Sequence, residues 1–235
     1  MHASPLSIII PVLNEANGIS ACLQALQPLA QRGVHIIVAD GGSTDGTAQL
    51  AATELKNFPH ALVIQAPRGR AQQMNAGAAQ AGGGVLLFLH ADTLLPPAAD
   101  QCIAQALASR ARAWGRFDVR IDGSSPILRV VAVLMNLRSR WSGMATGDQA
   151  IFMTRAAFDA AGGFPVQPLM EDIEISKRLG KLSRPACLHE KVTTSGRRWE
   201  TRGVWKTIFL MWRLRFAYGC GAAPERLALL YREVR

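Results

Sequence analysis

The sequence is short of acidic residues and cysteine, and it has no long uncharged apolar run. Asp and Glu number 17 against 26 Lys and Arg in 235 residues, a formal charge of +9. The excess is uneven: residues 197–235 carry nine basic and three acidic side chains, or +6, leaving +3 for the first 196. A near-neutral body with a basic end points to an anionic partner for that end, lipid headgroups or phosphates. Arginine-rich usage, 21 of the 26 basic residues, accounts for the total but not for its location. The four cysteines, Cys22, Cys102, Cys187 and Cys220, lie far apart without a CxxC pair. That argues against a disulfide framework or a cysteine metal cluster and for reduced thiols. No window reaches the ~18 uncharged apolar residues of a spanning helix; Arg129 breaks 127–137, and Lys206, Arg213 and Arg215 break 204–218. The N-terminus lacks a basic segment before its apolar stretch, so no signal peptide is read there. A cytoplasmic protein is expected. With 49% hydrophobic residues and a mean hydropathy of +0.11, the chain is neither disordered nor fibrous and can bury a sizeable core.

What is present is an alternation. Apolar runs at 6–13, 34–40, 61–66 and 85–90 read as strands, and helical spacing fills 17–32, 45–56, 70–81 and the stretch to about residue 108. Strands apolar throughout and separated by helices predict a mostly parallel central sheet covered on both faces, an α/β fold. Right-handed crossovers bring the strand-end loops to one edge, where ligands bind in such sheets. Asn14, Asp40, Arg68 and Asp92 all follow strands and should converge there. The second half is less regular: strands at 117–121 and 150–154, helices at 126–141 and 170–179, and C-terminal helices at 204–218 and 224–232. We expect one domain over 1–200 and a basic helical tail over 201–235.

Four pieces stand in order: PVLNEA at 11–16, DGGSTDGT at 40–47, HAD at 90–92 and MEDIEISKRL at 170–179. Together they resemble the family 2 glycosyltransferases, which have the nucleotide-diphospho-sugar transferase (GT-A) fold. The resemblance runs from Ser7 to about Trp199. With Thr93, the third piece reads HADT and is similar to the subgroup described as radical-SAM/selenodomain-associated transferase 2. The resemblance implies an inverting transfer of a sugar from a nucleotide-sugar donor to an acceptor hydroxyl, aided by a divalent cation, Mn²⁺ or Mg²⁺.

Each piece has a physical task under this reading. Pro11 ends a strand, and Asn14 and Glu15 offer an amide and a carboxylate to a nucleoside; the competing reading is a helix cap at Asn14 or Asn17. Asp40 resembles the family aspartate that accepts from the base, and the glycines behind it permit a sharp turn; Asp45 reads as a helix cap. Arg68 and Arg70 can neutralise a diphosphate, or be solvated surface residues, while Asn75 and Gly77 are candidates to line the sugar. In HAD, His90 and Asp92 face the same way if the segment is extended. The family usually carries Asp-x-Asp, and here His replaces the first Asp. Asp92 is then the expected metal ligand with diphosphate and water, and His90 is either a second ligand or a hydrogen-bonded neighbour. Glu171 and Asp172 resemble the family's Glu-Asp pair, with Asp172 the general base, kept anionic at a helix start; simple capping is the alternative. Gly147, Asp148 and Gln149 are expected at the acceptor pocket. Arg198 and Trp199, expected at the acceptor as well, lie in SGRRW, which looks like a short form of the (Q/R)xxRW signature of processive members, with Ser195 at its first position.

On a helical wheel Arg202, Lys206 and Arg213 fall within about 40°, and Trp205, Ile208, Phe209, Trp212 and Phe216 form an apolar stripe. Such a helix over 204–218 can lie on an anionic membrane surface, at the inner face for a cytoplasmic protein, or pack on the domain. The former would suit a lipid-linked acceptor. Two rivals remain. A sugar-nucleotide nucleotidyltransferase needs a GxGxR-type loop after the first strand, where this chain has PVLNEA. A membrane- or anion-binding protein with a degenerate site leaves Asp92 and Asp172 without a shared use. Nucleic acid is not an expected partner, because no basic patch is interleaved with aromatics in the RNA-reading manner.

Overall fold

The structure, a computed structural model, describes residues 6–109 and 111–233; the side chains of Arg198, Arg202, Arg232 and Glu233 lie outside the described set. In chain order the elements are β1 (Leu6–Val12), α1 (Ala16–Gln31), β2 (His35–Asp40), α2 (Thr47–Glu54), β3 (Ala61–Gln65), α3 (Arg70–Gln80), β4 (Val85–Phe88), β5 (Thr93–Leu94) and α4 (Ala99–Ala108). There follow β6 (Trp114–Asp122), α5 (Ile127–Ser142), β7 (Phe152–Thr154), α6 (Arg155–Ala160), α7 (Glu171–Gly180), β8 (Ala186–Ser195), α8 (Arg197–Arg202), α9 (Val204–Gly219) and α10 (Pro224–Glu233).

All eight strands form one sheet in the order β3-β2-β1-β4-β7-β6-β8-β5. β1 pairs in parallel with β2 and β4, and β2 with β3. β7 runs against both β4 and β6, and β5 against β8, while β6 and β8 are parallel. Six strands therefore share one direction, as a mostly parallel sheet requires. Successive β1 residues point to opposite faces, so Ile8 and Ile10 enter one core and Ile9 the other. The first core takes Ile19, Cys22, Leu23 and Leu26 of α1, spaced at helical period. The second takes Met74 and Ala78 of α3, which approaches so closely that a Cβ on Gly77 would lie 2.4 Å from Ile9 Cγ2. Gly77 is thus a packing residue, correcting its expected place on the sugar.

The second half departs further from expectation. β6 is longer than the 117–121 segment, and β8, α6 and α8 went unread. β8 reads poorly because His189, Glu190 and Lys191 in its middle are exposed and break any apolar alternation. The residues from 201 on do not form a detached tail. Leu214 and Leu227 pack on Met170, Tyr218 Oη donates to Glu174 at 3.2 Å, and Ile208 lies against the main core. Among the described residues no helix is long and apolar enough to cross a membrane, and all four cysteines are free thiols.

Candidate active site

Loops at the carboxyl ends of the first strands are stitched to one another. Asn14, in left-handed backbone at φ +57°, accepts the Thr44 N–H at 2.9 Å and donates its own N–H to Ser43 Oγ at 2.9 Å. It caps no helix: Glu15 is the residue before α1, and the first N–H of that helix is taken by Asp45 instead. Glu15 in turn donates its N–H to Thr47 Oγ1. Asp45 accepts from the Ala16 N–H and from Thr47, whose hydroxyl bond holds the carboxyl below its usual range. Gly46 is the residue before α2, and the Asp45 carboxylate, accepting the Thr47 N–H, caps that start as expected while also holding the first N–H of α1.

Asp40 ends β2 almost fully buried, accepting from the N–H groups of Gly42 and Ser43 at 3.1 Å and from Gln65 Nε2 at 3.2 Å. A carboxylate so held stays oriented toward the loop. Beside it lies a residue that sequence reasoning missed. Gln73, on the buried side of α3, donates its amide to Val12 O at 2.6 Å and to Ala39 O at 2.8 Å, clamping the ends of β1 and β2 together. A Cβ on Gly41 would meet that amide at 2.9 Å. The only signal in the chain is a Gln at an otherwise apolar helix position.

Pro11, Glu15, Arg68, Arg70 and Glu171 line one open cleft of about 1040 Å³, with Ala228 and Tyr231 of α10 also on its wall. Arg68 is exposed. Arg70 is half-exposed, and its Nη1 lies 3.5 Å from Glu171 Oε1. Desolvation works against its charge, but Glu171, Asp148 and Asp172 together raise its pKa. Asn75 does not line this cleft. Both ends of its amide are engaged by Phe164, donating to the carbonyl at 2.8 Å and accepting the N–H at 2.9 Å.

The HAD segment is a turn and not extended: Thr93 N–H closes it onto His90 O at 3.1 Å, with Ala91 and Asp92 inside. His90 and Asp92 therefore do not act as one face. His90 Nδ1 lies 3.3 Å from Asp148 Oδ1, and its ring is seated on Gly147, where a Cβ would be 2.4 Å from Cε1 and Nε2. Nδ1 thus faces Asp148 and the ring rests on the 147–148 turn, which fits the hydrogen-bonded neighbour among the two readings of His90. Asp92 is exposed, with only a 3.4 Å contact from Thr93 Oγ1. Thr93 also donates to Thr194 Oγ1, and Ser195 N–H donates to Asp92 O, so β8 holds this turn from behind. Among the described residues no group of three His, Cys, Asp or Glu side chains could by itself hold a metal ion.

Asp172 opens α7 after Met170, whose φ of +66° turns the chain into the helix. Its carboxylate accepts the Ile173 N–H at 2.8 Å and the Gly147 N–H at 3.1 Å. Desolvation and then the neighbouring charge of Glu171 push its pKa up to about 6, against the pull of those two N–H groups and Arg70. Glu174 is tied to Arg178 and Tyr218 as a helix carboxylate. Of the five residues expected at the acceptor, Gln149 is fully buried; it accepts the Thr146 N–H and reaches Asn136 Oδ1 at 3.4 Å, shaping the turn from inside. Asp148 and Trp199 line a second groove, between α5 and α9, of about 930 Å³. The Arg198 side chain lies outside the described residues.

A parallel sheet with a cleft at its carboxyl edge, bordered by arginines and a glutamate–aspartate step, is the arrangement of a group-transfer enzyme acting on phosphorylated substrates. The comparisons narrow this class. The model of "Glycosyl transferase family 2" matches residues 7–164. The succinoglycan biosynthesis protein ExoA of Rhizobium meliloti is 30% identical over 94% of this chain and 69% of its own length. A PGL/p-HBAD biosynthesis glycosyltransferase of Mycobacterium bovis is 31% identical over 70% of this chain, which spans 64% of that relative. The protein belongs to glycosyltransferase family 2. Among solved structures, a Pyrobaculum calidifontis mannosyltransferase in complex with GDP-Man and Mn²⁺ superposes with a TM-score of 0.66 at 20% identity, over all of this chain and 70% of that one. S. aureus TarS in complex with UDP-GlcNAc gives 0.66 at 18% identity, over 81% and 58%. The fold is GT-A.

Proposed function

We propose that this transferase moves a sugar, with inversion, from a nucleoside diphosphate to an acceptor hydroxyl, and that Asp172 is the base. The observation that carries the reading is the Glu171–Asp172 step. Glu171 reaches into the 1040 Å³ cleft to Arg70, and Asp172 bonds the Gly147 N–H beside Asp148 on the other groove. Glu171 thus lines one pocket, and Asp172 is bonded to the turn whose next residue, Asp148, lines the other. The acceptor oxygen attacks C1, the C1–O bond to phosphate breaks with its electron pair leaving on the nucleoside diphosphate, and the hydroxyl proton passes to Asp172. A carboxylate held near pKa 6 is a stronger proton acceptor than an ordinary one yet still ionised at neutral pH.

Asp40, Glu15, Arg68 and Arg70 serve the donor in this proposal, and Asp92 holds the divalent cation. One exposed carboxylate at a turn, weakly bonded within the protein, suits Mg²⁺ or Mn²⁺, which take most of their shell from phosphate and water. When bound, the cation neutralises charge on the diphosphate leaving group. The relatives named for mannosyl transfer from GDP-Man with Mn²⁺ and for UDP-GlcNAc binding support this donor chemistry. Membership of the HADT subgroup belongs to the proposal, supported by residues 90–93. So does action at the inner face of a membrane on a lipid-linked acceptor, supported by the exposed Trp205, Phe209, Trp212 and Phe216 beside exposed Lys206 and Arg213. The test is UDP and GDP binding by thermal shift with Mn²⁺ or chelator. Binding should need the metal and be lost in Asp92→Ala; equal shifts in chelator would sink the metal role.

A further inference from the structure

The groove between α5 and α9 is lined mostly by apolar side chains, yet three arginines stand in it, of which Arg140 is paired with Asp118. Leu134, Leu137 and Trp141 border it from α5, and Ile208, Met211 and Trp212 from α9. Arg138 and Arg215 line the same groove. Arg138 Nε and Nη2 and Arg215 Nε are withdrawn from solvent with no hydrogen-bond acceptor among the described residues. Burial lowers the pKa of Arg138, Arg116 adds repulsion, and Asp172 and Asp148 partly offset both. A buried guanidinium nitrogen without an acceptor is costly, and the fold supplies other arginines with partners: Arg116 and Arg140 both pair with Asp118. The apolar residues bordering the groove are also turned outward. Leu137 is 57% exposed, Trp212 68% and Trp141 97%.

An occupant that relieves both conditions has an apolar chain and an anionic group. We propose that this groove binds a lipid phosphate, its chain against α5 and α9 and its phosphate on Arg138 and Arg215, and that this molecule is the acceptor or carries it. The acceptor part rests on the sugar-transfer reading, because Asp148 lines the groove and Asp172 acts electrostatically on Arg138. Two guanidinium groups give a phosphate charge-assisted donors in a low-dielectric setting. The chain gains by leaving water, roughly in proportion to the apolar area it covers.

Decyl phosphate below its micelle concentration is a direct probe, read by the fluorescence of Trp141, Trp199 and Trp212, which line the groove. Saturable binding is expected, with decanol and inorganic phosphate each about tenfold or more weaker. Arg138→Met and Arg215→Met should each lose decyl phosphate by a similar factor and leave decanol unchanged. Because Arg138→Met removes an unpaired buried charge, it should melt at or above the wild-type temperature while losing the ligand. Unchanged decyl phosphate binding in both variants would overturn the proposal. So would decanol binding as tightly as decyl phosphate, or inorganic phosphate matching it, which would mark a free-anion site. Should Arg138→Met fail to fold, Arg215→Met decides. Mn²⁺-dependent UDP and GDP binding, measured on the same samples, separates the two readings. Its absence beside intact decyl phosphate binding removes the sugar-transfer reading and with it the acceptor role, leaving the lipid phosphate site; the reverse removes this site alone.

Discussion

The half of the molecule before residue 110 and the half after it solve the same problem by opposite means. In the first, apolar strands carry the fold and polar side chains gather at strand ends, where Asp40, Asn14 and Asp45 bond loop backbone. In the second, a buried polar network runs through the apolar core, and several large apolar side chains face outward. Arg116 is fully buried, bonded to Asp118, Ser139 Oγ and Asn136 O; Asn136 exchanges two bonds with the backbone of Val119, and Gln149 joins Asn136. Meanwhile Val130, Val133, Leu134 and Leu137 of α5 face outward. The contrast teaches where tolerance lies: the donor side should survive changes in a polar loop better than the acceptor side survives loss of a buried one.

The sharpest break of that comparison is at the step between the halves. Asp172→Asn keeps the shape and one of the two accepted N–H bonds but cannot take a proton, so kcat should fall ~10²–10⁴-fold with nucleotide binding kept. Transfer by the wild type should rise with pH through about 6, as Asp172 ionises. The same shift has a stability consequence of fixed sign. A carboxyl whose folded pKa is raised contributes stability below the unfolded value near 4 that is lost as pH rises through about 6. Asp172→Asn should therefore raise the melting temperature at pH 8 and leave it unchanged at pH 4. Full transfer activity, or a gain at pH 4, would remove Asp172 from this role.

Next in size is Arg116→Met. Removing one partner of a buried pair typically costs ~3–5 kcal/mol, here toward the lower end because Arg140 still pairs with Asp118. Adding Asp118→Leu should recover part of the loss in urea unfolding; no recovery would mean the arginine packs more than it pairs. Smallest is Gly147→Ala. The new Cβ pushes on His90, and the Gly147 N–H to Asp172 moves with the turn. We expect about a tenfold drop in kcat, within the range for positioning losses, with donor KM and melting temperature little changed. A change in KM alone would place the turn on the donor side.

The donor half was legible because its information is periodic and local. Apolar runs with helical intervals specify a parallel sheet, and residues such as Asp40 and Arg68 then fall at its carboxyl edge. Glu171 and Asp172 were legible by motif, and their helix start by the acidic first turn. The shared facing of His90 and Asp92 was misread because an argument from strand alternation was applied from two residues past the strand: β4 stops at Phe88, and a turn follows. Asn75 was misread because an amide beside arginines in sequence was spent on a backbone segment 89 positions away.

By itself, then, the chain determined the layered fold, the edge at which ligands meet it and the types of residue offered there, since those follow from side-chain period and strand-end position. Only the tertiary structure decided which offers were free. It turned His90 onto Gly147 and Asp148, seated Gln73 under two strand ends, and made α10 a wall of the 1040 Å³ cleft. It also left Arg138 nitrogens without an acceptor between two apolar helix faces. Each of these depends on contacts between segments far apart in sequence, and a hydrogen bond is used up, or left unmade, only when both partners have been brought into place.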